Sequence, residues 1–178
     1  MRCKGGFSLR EFVLIALFCC SVCCSNETDN AGNPNNAIQD SNSSLAPDFT
    51  LLSTDFKQVS LSHYRGKIVL LDFWATWCKS CQEEIPIFID LYDQYHDQGF
   101  EMVGISIDSE RLKVVNPFIK KLGVNYTILL GEPDLMDKYN IVAIPTAVLI
   151  DQSGKIRKMF IGAQLEKSIY ENELKKLL

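Results

Sequence analysis

The sequence predicts an α/β domain with a central mixed β-sheet flanked by helices, and three features predict it. Residues 68–75 form a near-continuous apolar run of the kind found in a strand buried on both faces. Residues 79–96 change to a three-and-four-residue apolar period, and Met102 to Ile107 returns to a buried-strand pattern. A strand, a helix and a strand in that order form a parallel pair with a right-handed crossover.

The remaining elements follow from local chemistry. Phe49 to Leu52 and Val59 to Leu61 are read as short strands ahead of the buried run, an amino-terminal strand extension of the sheet. The helix of residues 79–96 carries Ile85, Phe88, Tyr92 and Tyr95 on one stripe and ends at Gly99. After the strand–helix–strand unit comes an insert: a helix from Pro117 to Leu122, opened by Asn116 as cap and closed by Gly123, and then a strand from Thr127 to Leu130. Thr146 to Ile150 and Ile156 to Phe160 flank the turn-forming set Asp151-Gln152-Ser153-Gly154 and predict an antiparallel hairpin. Leu165 to Leu178 closes the chain as an amphipathic helix.

Upstream of this domain the composition changes twice. Residues 1–24 carry Arg2, Lys4 and Arg10 ahead of an apolar run from Phe12 to Cys24 broken only by Ser21, the layout of an export signal. Thirteen residues at about 1.5 Å each make a helix of roughly 20 Å, short of a hydrocarbon core of roughly 30 Å. Two processing routes stay open: secretory cleavage, or a lipoprotein cut that leaves Cys20 or Cys24 to be acylated and to serve as a lipid anchor. Residues 25–45 are mostly Asn, Ser, Asp and Gly, too poor in apolar side chains to offset the entropy of ordering, and are read as a flexible tether. Residues 46–178 form the domain. Without residues 1–24 the chain has 15 basic against 21 acidic side chains, a net charge of −6, which disfavours nucleic acid as a partner.

Five of the seven cysteines, Cys3, Cys19, Cys20, Cys23 and Cys24, lie in the amino-terminal segment, which leaves only Cys78 and Cys81 in the domain. Trp77-Cys78-Lys79-Ser80-Cys81 stands where the buried strand hands over to the helix. Unpaired N–H groups and the macrodipole at a helix start favour a negative sulfur, and dithiols placed there have a thiol pKa of roughly 3.5 to 7.5 against about 8.5 for free cysteine. Cys78 is the predicted nucleophile, and Cys81, one turn inward, the resolving thiol of a two-electron dithiol/disulfide couple. Zinc is disfavoured, because two cysteines with His63 and His96 at unrelated spacings do not make a four-ligand set. Electrons that move between sulfurs need no further cofactor.

Asp72-Phe73-Trp74-Ala75-Thr76-Trp77-Cys78-Lys79-Ser80-Cys81 resembles the active-site segment of thioredoxins. Glu84 and Pro86 extend it to the W-C-x-x-C-x-x-E-x-P pattern of the TlpA/ResA-like thiol-disulfide oxidoreductases, and the similarity runs from about Ala46 to the end. Ile144-Pro145-Thr146 resembles that family's cis-proline segment. The resemblance implies a thioredoxin-like fold and a cis Pro145 beside the sulfurs, with Pro145, Ile144 and Trp77 meeting an extended substrate. It also implies proton handling for the second cysteine by Asp72, as in thioredoxins, or by Glu84, as in the TlpA/ResA-like branch. This chain has both acids. Family members are commonly tethered to the membrane, take electrons from a membrane thiol carrier, and act on exported proteins with disulfides, apocytochrome c before haem attachment among them.

Two rival readings remain. A peroxidase of the peroxiredoxin class needs a threonine three residues before the reactive cysteine, where this chain has Ala75, with Thr76 one place off. A binding module would keep the disulfide for stability alone.

Overall fold

The computed structural model describes residues 44–178. The export signal expected at residues 1–24 and all but the last two residues of the expected tether lie outside the described residues. The chain runs β1 (Thr50–Ser53), β2 (Gln58–Ser60), a 3-10 turn (Leu61–Tyr64), β3 (Ile68–Trp74), α1 (Lys79–Tyr95), a second 3-10 turn (His96–Gln98), β4 (Phe100–Ser106), α2 (Leu112–Leu122), β5 (Thr127–Leu130), α3 (Pro133–Lys138), β6 (Thr146–Ile150), β7 (Ile156–Ile161) and α4 (Lys167–Leu174). The strands form one mixed sheet in the order β2-β1-β5-β4-β3-β6-β7. β3, β4 and β5 are parallel, while β1, β2, β6 and β7 join antiparallel.

β3 is an interior strand between β4, the middle strand of the seven, and β6, and all seven of its residues are buried. Alternation divides its side chains between two cores. Ile68, Leu70 and Trp74 pack with α1, Val115 of α2, and Tyr170 and Leu174 of α4. Val69, Leu71 and Phe73 pack with Phe49, Leu61 and Leu135 of α3 on the other face. Asp72 shares parity with Leu70 and Trp74 and so faces α1. Its cross-strand neighbours are small, Gly104 on β4 and Ala147 on β6. At Gly104 a Cβ would lie 2.6 Å from Ile128 Cδ1 and 3.0 Å from Trp74 Nε1, so only glycine lets the Trp74 indole lie this close to β4.

Several boundaries differ from the sequence expectation. α2 begins at Leu112, after Arg111, rather than at Pro117 behind an Asn116 cap. Leu112, Val115, Ile119 and Leu122 continue one apolar stripe through the proline, and burial of Val115 against the sheet outweighs the one backbone bond that Pro117 removes. α3 was not anticipated. It is a single short helix that opens with Pro133 in its first turn and buries Leu135. α4 is shorter than residues 165–178: Leu165 is exposed in the approach to the helix, and Leu178 is exposed past its end. Ser44 and Leu45, assigned by composition to the tether, instead bond to the hairpin, where Ile156 N donates to Ser44 O and Leu45 bridges Lys155. Gly99 ends the α1 region at φ 87°, as its position predicts.

Candidate active site

The parallel strands β3 and β4 aim their carboxyl ends at one pole of the sheet, and the cysteine loop leaves β3 there. The turn is held by side chains at every polar group of Thr76. Its N–H donates to Asp108 Oδ2 at 2.9 Å, its hydroxyl to Asp108 Oδ1 at 2.6 Å, and its carbonyl accepts from Gln82 Nε2 at 2.7 Å. Asp108, buried just beyond β4, also accepts from Ser106 Oγ at 2.8 Å. Sequence reasoning missed Asp108 and Thr76 as site-shaping residues. The available signal was a Ser-x-Asp at the end of a buried strand.

Cys78 caps α1, and its sulfur accepts the Cys81 backbone N–H at 3.2 Å, the placement that the strand-to-helix handover predicts. The two sulfurs are joined in a disulfide with Cα atoms 5.3 Å apart. Cys78 is the more accessible of the two but is only 7% exposed against 1% for Cys81, so it is less open than an exposed nucleophile. Ser80 Oγ lies 3.5 Å from Cys78 Sγ. In the reduced form the helix start and these donors favour the anion on Cys78 over that on Cys81.

The Ile144–Pro145 peptide is cis. Thr146 pairs with Phe73, so Pro145 lies beside the end of β3 from which the cysteine loop departs. Gly162 N donates to Pro145 O, and Thr146 Oγ1 to Ala143 O, fixing the loop. Ile144 is half-buried. The two tryptophans differ: Trp74 is buried with its Nε1 lacking a partner among the described residues, whereas Trp77 is 68% exposed. Trp77 is therefore no packing group and offers a bare indole on the rim.

Asp72 and Glu84 are each 1% exposed. Glu84 is therefore no solvated charge on a helix face, and it sits one turn beyond Cys81 on α1. Burial first, and the neighbouring Glu84 second, push Asp72 well above the usual carboxylate range. Among the described residues Asp72 Oδ1 has no hydrogen-bond partner. Burial raises Glu84 as well, but two donors oppose the rise: the Tyr170 hydroxyl and the Gln164 N–H, the latter at 2.7 Å. Tyr126, buried nearby, is held neutral by burial and by both acids. Tyr170 and Gln164 were not anticipated, because nothing local links them to Glu84. Among the described residues no three His, Cys, Asp or Glu side chains cluster as a metal would require.

Residues 43–159 match the AhpC/TSA family. The thiol-disulfide oxidoreductase ResA of Bacillus subtilis is 36% identical over 132 residues, 74% of this chain and 73% of that protein. ResA of Geobacillus thermodenitrificans is 35% identical over 130 residues, 72% and 74% of the two chains. A thiol:disulfide interchange protein of the thioredoxin family from Chlorobium tepidum superposes with a TM-score of 0.70 at 30% identity, covering 78% of this chain and 99% of that one. StoA from Bacillus subtilis superposes at 0.63 with 26% identity, covering 73% and 98%. A disulfide at a helix start, beside a cis-proline and at the carboxyl pole of a thioredoxin-like sheet, thus coincides with sequence kinship over most of the domain, and the chain belongs to the ResA-like thiol-disulfide oxidoreductases.

Proposed function

We propose that this oxidoreductase works as a reductase of disulfides in exported proteins, with Cys78 as the attacking sulfur. The observation that carries the reading is the Cys78 sulfur at the α1 start, accepting a backbone N–H. In the reduced enzyme the Cys78 thiolate attacks a client disulfide, one client sulfur leaves as thiolate, and a Cys78–client disulfide forms. Cys81 then attacks Cys78, the second client sulfur leaves, and the Cys78–Cys81 disulfide remains. Two electrons pass to the client. Asp72 and Glu84 handle the Cys81 proton in this reading, and Pro145, Ile144 and the exposed Trp77 receive an extended client segment.

The same reading assigns regeneration to a membrane thiol carrier and includes apocytochrome c among the clients, on the strength of the family resemblance. It places the domain outside the cytoplasm, exported by residues 1–24 and held by a lipid on Cys20 or Cys24. Among the described residues no helix is long and apolar enough to cross a membrane.

Cys81→Ser tests the mechanism, since it should leave Cys78 joined to clients that mass spectrometry can identify. Capture of nothing by a Cys78 that still alkylates would overturn the exchange. A couple below about −300 mV would point to an inert structural bond and a binding module. The peroxidase reading draws on the AhpC/TSA match, but Ala75 stands three residues before Cys78, and the Thr76 hydroxyl is engaged by Asp108. Peroxide consumption with a thiol reductant should accordingly be slow.

A further inference from the structure

Two carboxyls are buried on the α1 face, and the hydrogen-bond donors around them are divided unequally. Among the described residues Asp72 Oδ1 has none, whereas Glu84 Oε1 has two, the Gln164 amide and the Tyr170 hydroxyl. The Tyr170 ring is held between Phe88 of α1, with centroids 5.2 Å apart and planes at 66°, and Phe160 of β7, at 4.6 Å and 56°. Its hydroxyl therefore has a fixed aim from α4 into the site. The groups that face Glu84 are Asp72 from β3, Tyr126 from the segment before β5, Tyr170 from α4 and the Gln164 amide from the β7–α4 connection, with Cys81 one turn back on α1. Two like charges in one dry site are costly, and a single negative charge settles where donors already point.

We propose that Tyr170 is a positioning residue: with the Gln164 amide it assigns the one negative charge of the Asp72–Glu84 pair to Glu84, and so makes Glu84 the group that takes the Cys81 thiol proton. The inference deepens the proposed function and rests on its assignment of that proton to these acids. As Cys81 attacks the mixed disulfide, its S–H proton passes to the Glu84 carboxylate. The Cys78–client bond breaks, the Cys78–Cys81 bond forms, and the client sulfur leaves as thiolate, to be protonated by solvent. Asp72, whose Oδ1 has no donor among the described residues, stays neutral. Loss of the Tyr170 hydroxyl removes one stabilising donor from the anion, so Glu84 must titrate higher.

The test uses the reduced protein and dithiobis(nitrobenzoate) in a stopped-flow instrument. Cys78 attack releases one nitrothiolate, and Cys81 resolution releases a second. Carbon NMR follows the Glu84 carboxyl, identified by its loss in Glu84→Gln. In Tyr170→Phe both the Glu84 titration and the acid limb of the second release should move up by about one pH unit, with the first release unchanged. Difluorotyrosine placed at position 170 keeps the ring packing and donates more strongly, so both midpoints should move down, which keeps the idea testable even if the phenylalanine variant folds poorly. If Glu84→Gln slows the second release but neither Tyr170 replacement moves its midpoint, and only thermal unfolding changes, the Tyr170 assignment fails. If Glu84→Gln leaves the second release intact, the role given to Glu84 fails and takes this inference with it.

Discussion

The two faces of the sheet are built from the same strands but treat polarity differently. On the α3 face, Val69, Leu71, Phe73, Val103, Ile105 and Ile150 pack together, and the buried Tyr139 hydroxyl donates to Pro47 O at 2.7 Å. On the α1 face, Asp72 Oδ1 and Trp74 Nε1 have no partner among the described residues. Each such group costs about 1–3 kcal/mol relative to a paired one. Unsatisfied polarity is thus concentrated on the face that carries the sulfurs. The other face supplies stability and no chemistry.

Truncation on the supporting face tests that division most strongly. Leu71→Ala should cost about 2–5 kcal/mol in denaturant unfolding and leave the redox potential where it was. A shifted potential would mean that the faces are not independent. Next in size, Asp108→Ala removes two hydrogen bonds from the turn before Cys78 and a third from Ser106 at the end of β4, and a loss of about 3 kcal/mol with slower alkylation of Cys78 is expected. Equal alkylation rates would show that Thr76 needs no such hold.

Asp72→Asn should have the opposite sign, stabilising the protein at neutral pH because an amide carries no ionisation for burial to suppress, and it should change Cys81 resolution little, since Asp72 is already neutral. Its pH dependence sharpens the point. Asp72 and Glu84 titrate higher in the folded than in the unfolded chain, so the folded state holds more protons between the two pKa values. Stability therefore falls as pH rises from about 4 toward the folded pKa values, by at most about 1.4 kcal/mol per pH unit for each acid. Asp72→Asn should remove its share of that slope in unfolding curves taken across the range. The smallest effect belongs to the surface: Lys113→Ala breaks an exposed pair with Glu110, and a change under about 0.5 kcal/mol with unaltered kinetics is expected.

Features with a local signature were legible in the sequence. The apolar run of β3, the change of period at α1, the Cys-x-x-Cys at their junction and the hairpin around Asp151 to Gly154 each depend on neighbours a few residues apart. The strand–helix–strand unit and its parallel pairing followed from them. The misjudged start of α2 came from reading Pro117 as a boundary when the stripe from Leu112 was the stronger signal. What could not be read spans the chain: Tyr170 meets Glu84 across 86 residues, and Asp108 meets Thr76 across 32. Such pairs leave no periodicity, and only the fold brings them together.

The latch between Ser44–Leu45 and the β6–β7 hairpin lies near Lys155 and Ile156, at the end of β6 where Ile150 pairs with Val69, while the sulfurs adjoin the opposite end, where Thr146 pairs with Phe73. The point where the chain enters the domain is thus separated from the reacting sulfurs by the full length of β6. A change at the latch, such as loss of the Ser44 bond, reaches the disulfide only through the strands between them.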